Sequence, residues 1–482
     1  MSDKKKLVAN YIYNMIYQVV NILIPIITIP YASRVLGAEG IGASSYTNSI
    51  AIFFTVLCVF GINNYGSKMI AYVRGDYKKI SNQFWNIWFL QLVMSLIAGT
   101  IYIISFVILD ILGMRFLFIM QFPWILASLI DISWFFVGIE DFKKIVTRNV
   151  LVKVLGLILI FILVKSKADL WIYVLINSLC AFLGNLIFWI LISKYVQKPK
   201  RKNIDIFTHF KGALFLLIPQ IIAQVYITLD RTIIGNLSSL VEVGYYDQSQ
   251  KIARIALTLV TSLSIVIMPR IANMYAKKEL NMINLYLKKS VNFTLAFSIL
   301  ITSTLAAVSK HFVPIFFGDD FIVIVPYMMI SSLIIIFISI GGVFANQYTL
   351  PTGKNTQYII PLIVAAILNV ISNIILVPIL GVMGGVISIV FTEFCVAILR
   401  IFLVRKDLNI KFLFKGTYVY WIAGFSSFFI TLLISMNIKG NFFELITEGC
   451  VSVGIYTLII FLVNNPIKNE ILTFVNNKKV KR

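Results

Sequence analysis

The chain has 482 residues, of which 59% are hydrophobic and only 13% charged, yet its formal net charge is +22. Soluble domains carry roughly 25% charged residues. The composition therefore excludes an ordinary soluble enzyme and defines an all-α polytopic membrane protein, with membrane spans rather than soluble domains as the unit of organisation.

Taken in chain order, the apolar runs give fourteen candidate spans. They lie near 7–33, 41–63, 83–109, 114–138, 145–165, 169–194, 210–236, 244–270, 288–310, 323–350, 356–378, 382–405, 416–436 and 441–464. A helical span needs about 20 apolar residues. These runs are long and do not alternate, so they read as helices and not as barrel strands. Three breaks are slight: Asp110 to Gly113, Lys165 to Asp169, and Pro378 to Val382. Lys4, Lys5 and Lys6 precede the first run, which is too long and too rich in Asn and Gln for a cleaved leader, and reads as an uncleaved span.

The positive charge is unevenly placed. With the N-terminus inside, the inner breaks hold Lys68, Arg74, Lys78 and Lys79, then Lys143, Lys144 and Arg148, then Lys194 to Lys211, Arg270 to Lys289, Lys354, and Arg400 to Lys415. The outer breaks hold few basic residues: Arg34, Arg115, Lys165, Lys167, Arg231, Lys310 and Lys439. This positive-inside bias predicts both termini in the cytoplasm and accounts for the basic excess without nucleic acid as a partner. Cys58, Cys180, Cys395 and Cys450 all fall inside spans, without disulfide or metal spacing. His209 and His311 are far apart near span ends, so no metal site is expected. Gly37, Gly40 and Gly42 follow no strand, and Gly353-Lys354 lacks the rest of a P-loop. No cofactor or ATPase site is expected.

The first and seventh spans echo one another. In the first, Asn10, Asn14, Gln18 (or Tyr17), Asn21, Pro25 and Thr28 recur at helical steps, followed by Arg34 and a glycine bend. In the seventh, Gln220, Gln224, Thr228 and Arg231 do the same. Two parallel six-span halves would explain the echo. The expected division is an N-terminal lobe over 1–200, a C-terminal lobe over 201–410, and two further spans with a basic tail over 411–482. Polar stripes also serve helix packing; two of them on corresponding spans, each ending in arginine, favour a shared cavity. Asn14, Gln18, Asn21, Gln220 and Gln224 are its expected polar lining.

The eighth span carries Asp247, Lys251, Arg254 and Thr258 on one helical face. A charge at the bilayer centre costs about 2.5–3.5 kcal/mol on insertion scales, so such residues face a bundle interior or water. Lys251 and Arg254 offer donors suited to phosphate oxygens; the alternative for Lys251 is an outward reach and an ion pair with Asp247. Arg34 and Arg231 are either cavity cations or interface anchors. Lys153 reads as a cytoplasmic-side residue reaching for the interface. Asp247, Glu393 and Asp131 are candidates for ion coupling, with structural salt bridges as the alternative. Pro25 and Pro30 predict a bend in the first span. Gly381 and Gly385 form a GxxxG that predicts close helix packing.

Three stretches together resemble a known family: "PYASRVLGAEGIG" (Pro30 to Gly42), "NNYGSKMIAYVRGD" (Asn63 to Asp76) and "DISWFFVGIEDF" (Asp131 to Phe142). Their order within a fourteen-span basic chain resembles the Wzx-type polysaccharide flippases of the multidrug/oligosaccharidyl-lipid/polysaccharide exporter superfamily. The resemblance implies two six-helix lobes in a V-shaped, MATE-like arrangement plus two C-terminal helices. It implies alternating-access movement of an undecaprenyl-diphosphate-linked oligosaccharide across the bacterial cytoplasmic membrane, driven by an ion gradient. The implied substrate-binding cations are Arg34, Arg231, Lys251 and Arg254. The implied partners are the lipid-linked oligosaccharide, membrane lipids, and a polysaccharide polymerase and chain-length regulator. A drug or small-solute antiporter and a peptidoglycan-precursor flippase share the architecture. A cavity for cationic drugs would carry net acidity, whereas the residues here lean basic. A membrane polymerase or ligase would show a large outer loop, and none is visible.

Overall fold

A computed structural model describes residues 3–198, 205–261, 263–436 and 441–469, with the side chains of 3–16 and 263–266 outside the described set. Asn10 and Asn14, both basic tails, Lys200 to Lys202 and Lys439 therefore lie outside the described side chains. The described residues form helices and turns, and no strand occurs among them. Two compact units divide the chain, residues 1–235 and 236–482.

The first unit contains α1 (Asp3–Val59), α2 (Ile62–Tyr72), α3 (Tyr77–Tyr102), α4 (Arg115–Leu129), α5 (Ser133–Gly138), α6 (Phe142–Leu163), α7 (Leu170–Ile192) and most of α8 (Phe207–Leu237). The second contains α9 (Leu240–Thr261), α10 (Leu263–Ala276), α11 (Leu280–Phe317), α12 (Val325–Ser331), α13 (Ile334–Gly342), α14 (Asn355–Leu380), α15 (Val382–Val404), α16 (Ile410–Leu413), α17 (Tyr418–Ser435) and α18 (Phe442–Leu462).

Among the described residues, 12 helical stretches are long and apolar enough to cross a membrane. Two differences separate this count from the expected fourteen. The first two expected spans run together in one stretch, Tyr17–Tyr72. The eighth expected span, 244–270, is not among the twelve because residue 262 and the side chains of 263–266 lie outside the described set, leaving α9 and α10 on either side.

Each break has a local cause. Within α1 the backbone leaves helical angles at Gly37 (φ 68°, ψ −178°), whereas Pro25 and Pro30 lie inside the helix. That φ/ψ region is essentially restricted to glycine, so the bend belongs to the glycine of the Arg34–Gly42 motif. The third expected span ends in a π-helical turn, Ile103–Ile108, before Asp110 and Gly113 turn at positive φ. A reciprocal cap between Ser166 and Asp169 sets the break before α7. Gly381, at φ 56°, separates α14 from α15. The close approach expected of the GxxxG falls on its neighbour Gly384, where an added Cβ would stand 2.3 Å from the Leu376 carbonyl oxygen.

In lipid, helices gain little from hydrophobic burial against one another; packing and interhelical hydrogen bonds hold them. The first unit does this with an aromatic cluster of Phe84, Trp134, Phe135, Phe136 and Phe188. Gln91, fully buried, stitches the same region by donating to the Ser128 and Asp131 carbonyls and accepting from Trp134. Helix α8 joins this unit through Tyr65 OH against His209 Nδ1 at 2.9 Å and Ser49 against Thr232 at 2.9 Å. In the second unit, α17 and α18 place Tyr420, Ala423, Tyr456 and Ile460 in one core with α11. The last two spans are thus integral to the second unit.

Candidate functional site: a donor-rich chamber in the first unit

Helix α6 begins at Phe142, directly after Asp141. Arg148 and Lys153 therefore sit six and eleven residues into the helix, about 9 and 16 Å along it at about 1.5 Å per residue. Two adjoining chambers open beside them. One, of about 420 Å³, is lined by Tyr17, Thr28, Trp124, Arg148, Asn149, Lys153, Tyr173 and Asn177 among others, with no carboxylate among the described residues of its lining. The other, of about 320 Å³, shares Trp124, Arg148, Asn149 and Ala181 and adds Thr55, Asn63, Asp131 and Asn185. Arg148 stands where the two meet, with Lys153 in one chamber and Asp131 in the other.

The polar groups here are oriented but incompletely satisfied. Arg148 Nη1 donates to Asn149 Oδ1 at 2.5 Å, and its guanidinium lies 4.8 Å from the Phe188 ring centroid. Its Nε is buried without a hydrogen-bond partner, as is Trp124 Nε1 in the same lining. Asn185 donates to the Ala127 carbonyl at 2.7 Å, while its Oδ1 is buried and unpaired. Buried donors without partners are costly and uncommon in folded proteins. Two such N–H groups beside an ammonium make a chamber that suits a ligand bringing acceptor oxygens, and Trp124, Tyr17 and Tyr173 give it flat aromatic faces.

The sequence-predicted residues fall as follows. Asn21 accepts a hydrogen bond from Lys153 Nζ, and Lys153 lies 5.7 Å from the Tyr17 ring centroid. Lys153 is therefore held inward by α1 and is not a free interfacial lysine. Gln18 is exposed and Arg34 is exposed, one turn before the Gly37 break. Gln220 and Gln224 are half-buried on α8, where Gln224 donates to Thr228 at 3.3 Å. Arg231 donates to the Ile227 carbonyl at 3.4 Å, on its own helix. Asp131 accepts from the Ser133 backbone N–H at 2.9 Å and lines the smaller chamber with Arg148.

In the second unit, Lys251 Nζ stands 2.8 Å from Asp247 Oδ2, and the Asp247 side chain is 3% exposed. The intrahelical ion pair weighed from the sequence thus forms. Arg254 is half-buried one turn further along α9, and Thr258 is exposed. Glu393 is buried on α15 at 4% exposure. Arg400 lies two turns on, in space left by Gly341, where an added Cβ would stand 3.1 Å from Nη1. Helices α14 and α15 are tied by Ser372 to Ser388 and by Ser388 donating to the Asn369 carbonyl at 3.3 Å. The Asn369 side chain is fully buried there with neither polar atom paired. A separate apolar chamber of about 280 Å³ lies between α11, α12–α13 and α17, lined by Ile299, Thr302, Met329, Leu333, Trp421 and Phe425 among others.

Sequence reasoning missed Arg148, Trp124 and the inward role of Lys153. The available signal was the start of α6: with the helix beginning at Phe142 and not at 145, Arg148 and Lys153 lie six and eleven residues inside it.

An all-helical, many-span chain with charged internal chambers has the make-up of a membrane transporter. The chain belongs to the polysaccharide biosynthesis protein family, whose model matches residues 7–275. It is 24% identical over 413 residues to an Escherichia coli K12 protein named "Putative O-antigen transporter", covering 84% of this chain and 98% of that protein. A Shigella dysenteriae protein of the same name is 22% identical over 377 residues, covering 77% of this chain and 93% of that protein. Among solved structures, the lipid II flippase MurJ in an inward closed conformation superposes with a TM-score of 0.71 at 16% identity, covering 94% of this chain and 98% of that one. An inward-facing multidrug resistance MATE family transporter of the MOP superfamily superposes with a TM-score of 0.60 at 15% identity, covering 82% and 99%. The fold is therefore of the MATE and MurJ type.

Proposed function

We propose that this protein is a flippase that carries undecaprenyl-diphosphate-linked oligosaccharide repeat units from the inner to the outer leaflet of the bacterial cytoplasmic membrane by alternating access, driven by an ion gradient. The observation that carries the reading is the chamber of Arg148, Lys153 and Trp124, with unpaired donors and with no carboxylate among the described residues of its larger part, in a chain of the polysaccharide biosynthesis family.

The cargo sets the physical problem. A diphosphate entering hydrocarbon without partners meets a prohibitive desolvation cost. Arginine and lysine donors in a partly wet chamber replace its hydration, and an indole N–H with tyrosine faces suits the attached sugars. The polyprenyl tail stays in lipid. Arg34, Arg231, Lys251 and Arg254 are assigned as further cations along the path. Coupling is assigned to the carboxylates Asp131, Asp247 and Glu393.

A MATE-like antiporter for cationic solutes is the second reading, favoured by the likeness in fold; the basic lining of the first-unit chamber weighs against it. The deciding experiment is removal of the gene from its source cell. The flippase reading expects loss of surface polysaccharide, accumulation of lipid-linked repeat units inside, and recovery of both by the wild-type gene. Unchanged surface polysaccharide in the deletion strain rejects it.

A further inference from the structure

The last two spans bring a charge to α11 that none of the assignments above uses. His311 lies six residues before the end of α11, and Glu448 six residues after the start of α18. Both are thus about 9 Å inside their helices, at about 1.5 Å per residue. His311 Nδ1 and Glu448 Oε1 are 2.8 Å apart, with the side chains 8% and 0% exposed. The second carboxyl oxygen of Glu448 is buried and has no hydrogen-bond partner.

Among the described residues, the other contacts of this interface are uncharged. Thr304 meets Ser452 at 2.8 Å, Ser452 meets Ser427 at 2.8 Å, and Tyr456 donates to the Ala296 carbonyl at 2.8 Å. None of these contacts changes with pH in the physiological range. The neighbouring ionisable groups are engaged or exposed. Lys310 donates to the Ser435 carbonyl of α17 at 3.3 Å, Glu444 caps the start of α18, and Asp319 and Asp320 are exposed after α11. Helices α12 and α13 bring no charged side chain, and on α9 Asp247 is paired with Lys251.

The geometry points to a proton-binding site at His311 and Glu448 whose occupancy is tied to the docking of α18 against α11. With one proton between them, the two side chains are jointly neutral, whichever of them carries it. Removing that proton leaves a buried carboxylate facing a neutral ring. Adding a second leaves a buried cation facing a neutral acid. Both states strand an uncompensated charge in a buried interface. The pair therefore keeps its single proton while α18 is docked and exchanges it when this end of the interface opens to water. On the flippase reading, which this step rests on, the pair gives the transporter a point at which a proton gradient acts.

The test uses the full-length protein with Glu448→Gln, whose amide keeps a hydrogen bond to His311 but takes no proton, and with His311→Gln. Thermal unfolding in detergent is followed from about pH 5 to about pH 8, the range in which histidine exchanges protons. The wild-type midpoint is expected to move by several degrees relative to Glu448→Gln across that range; parallel curves for wild type and both variants overturn the proposal. In proteoliposomes carrying lipid-linked oligosaccharide, a pH gradient is expected to accelerate wild-type flipping several-fold and to leave Glu448→Gln at its ungraded rate. Equal acceleration in both also overturns it. Diverging unfolding curves with no flipping by any variant support the proton site and reject the flippase reading instead.

Discussion

Arg148→Ala is expected to lower the rate at which lipid-linked oligosaccharide crosses reconstituted membranes by about 10- to 100-fold, with Arg148→Lys recovering part of the loss. The magnitude follows from hydrogen bonds to charged groups, which contribute about 1.5–3 kcal/mol each, at about 1.4 kcal/mol per tenfold. Arg148 is the charged residue common to both first-unit chambers, its guanidinium is fixed by Asn149 and the Phe188 ring, and its Nε is left for a ligand. Lysine keeps the charge but presents no planar fork. A variant that folds, as judged by its elution in detergent, and transports at the wild-type rate removes Arg148 from the cargo path.

Gly37→Val is expected to destabilise the folded protein by at least about 1–3 kcal/mol, the cost of holding a side chain in a sparsely populated backbone region. At φ 68° and ψ −178° the Cβ meets its own backbone whatever space surrounds it, and a β-branched residue is worse placed than alanine. The consequence reaches beyond stability. Gly37 turns the 57-residue helix α1, so that the stretch bearing Tyr17 and Asn21, which hold Lys153, leads into the stretch bearing Thr47 and Ser49, which meet Gln121 and Thr232. A straightened α1 places one of these two sets out of reach. Reduced yield of monodisperse protein and a lowered unfolding midpoint are the expected readings; a midpoint equal to wild type contradicts them.

How much of this is legible in the residues depends on whether an interaction is local. The spans and their breaks follow from apolar runs, turn glycines and caps, all of which act within a few residues. The Asp247–Lys251 pair is equally local, four residues apart on one helix. By contrast, Lys153 and Asn21 are 132 residues apart, and His311 and Glu448 are 137 apart. Such pairs depend on how each helix is rotated about its axis and how deep it sits. A run that is apolar on all sides carries no stripe from which to read that rotation. Arg148 and Lys153 were misplaced for a related reason: near a span end, a basic residue reads as an interfacial anchor, and only a partner on another helix shows that it turns inward.

The most direct test of the central claim is made in liposomes containing the purified protein and lipid-linked oligosaccharide from the source cell, with protein-free liposomes alongside. The readout is the fraction of sugar that becomes accessible to an impermeant lectin or glycosidase. The flippase reading predicts that this fraction rises well above the protein-free level and that the rise responds to an imposed ion gradient. A fraction equal to the protein-free level, with gradients of either sign and a folded protein, contradicts it.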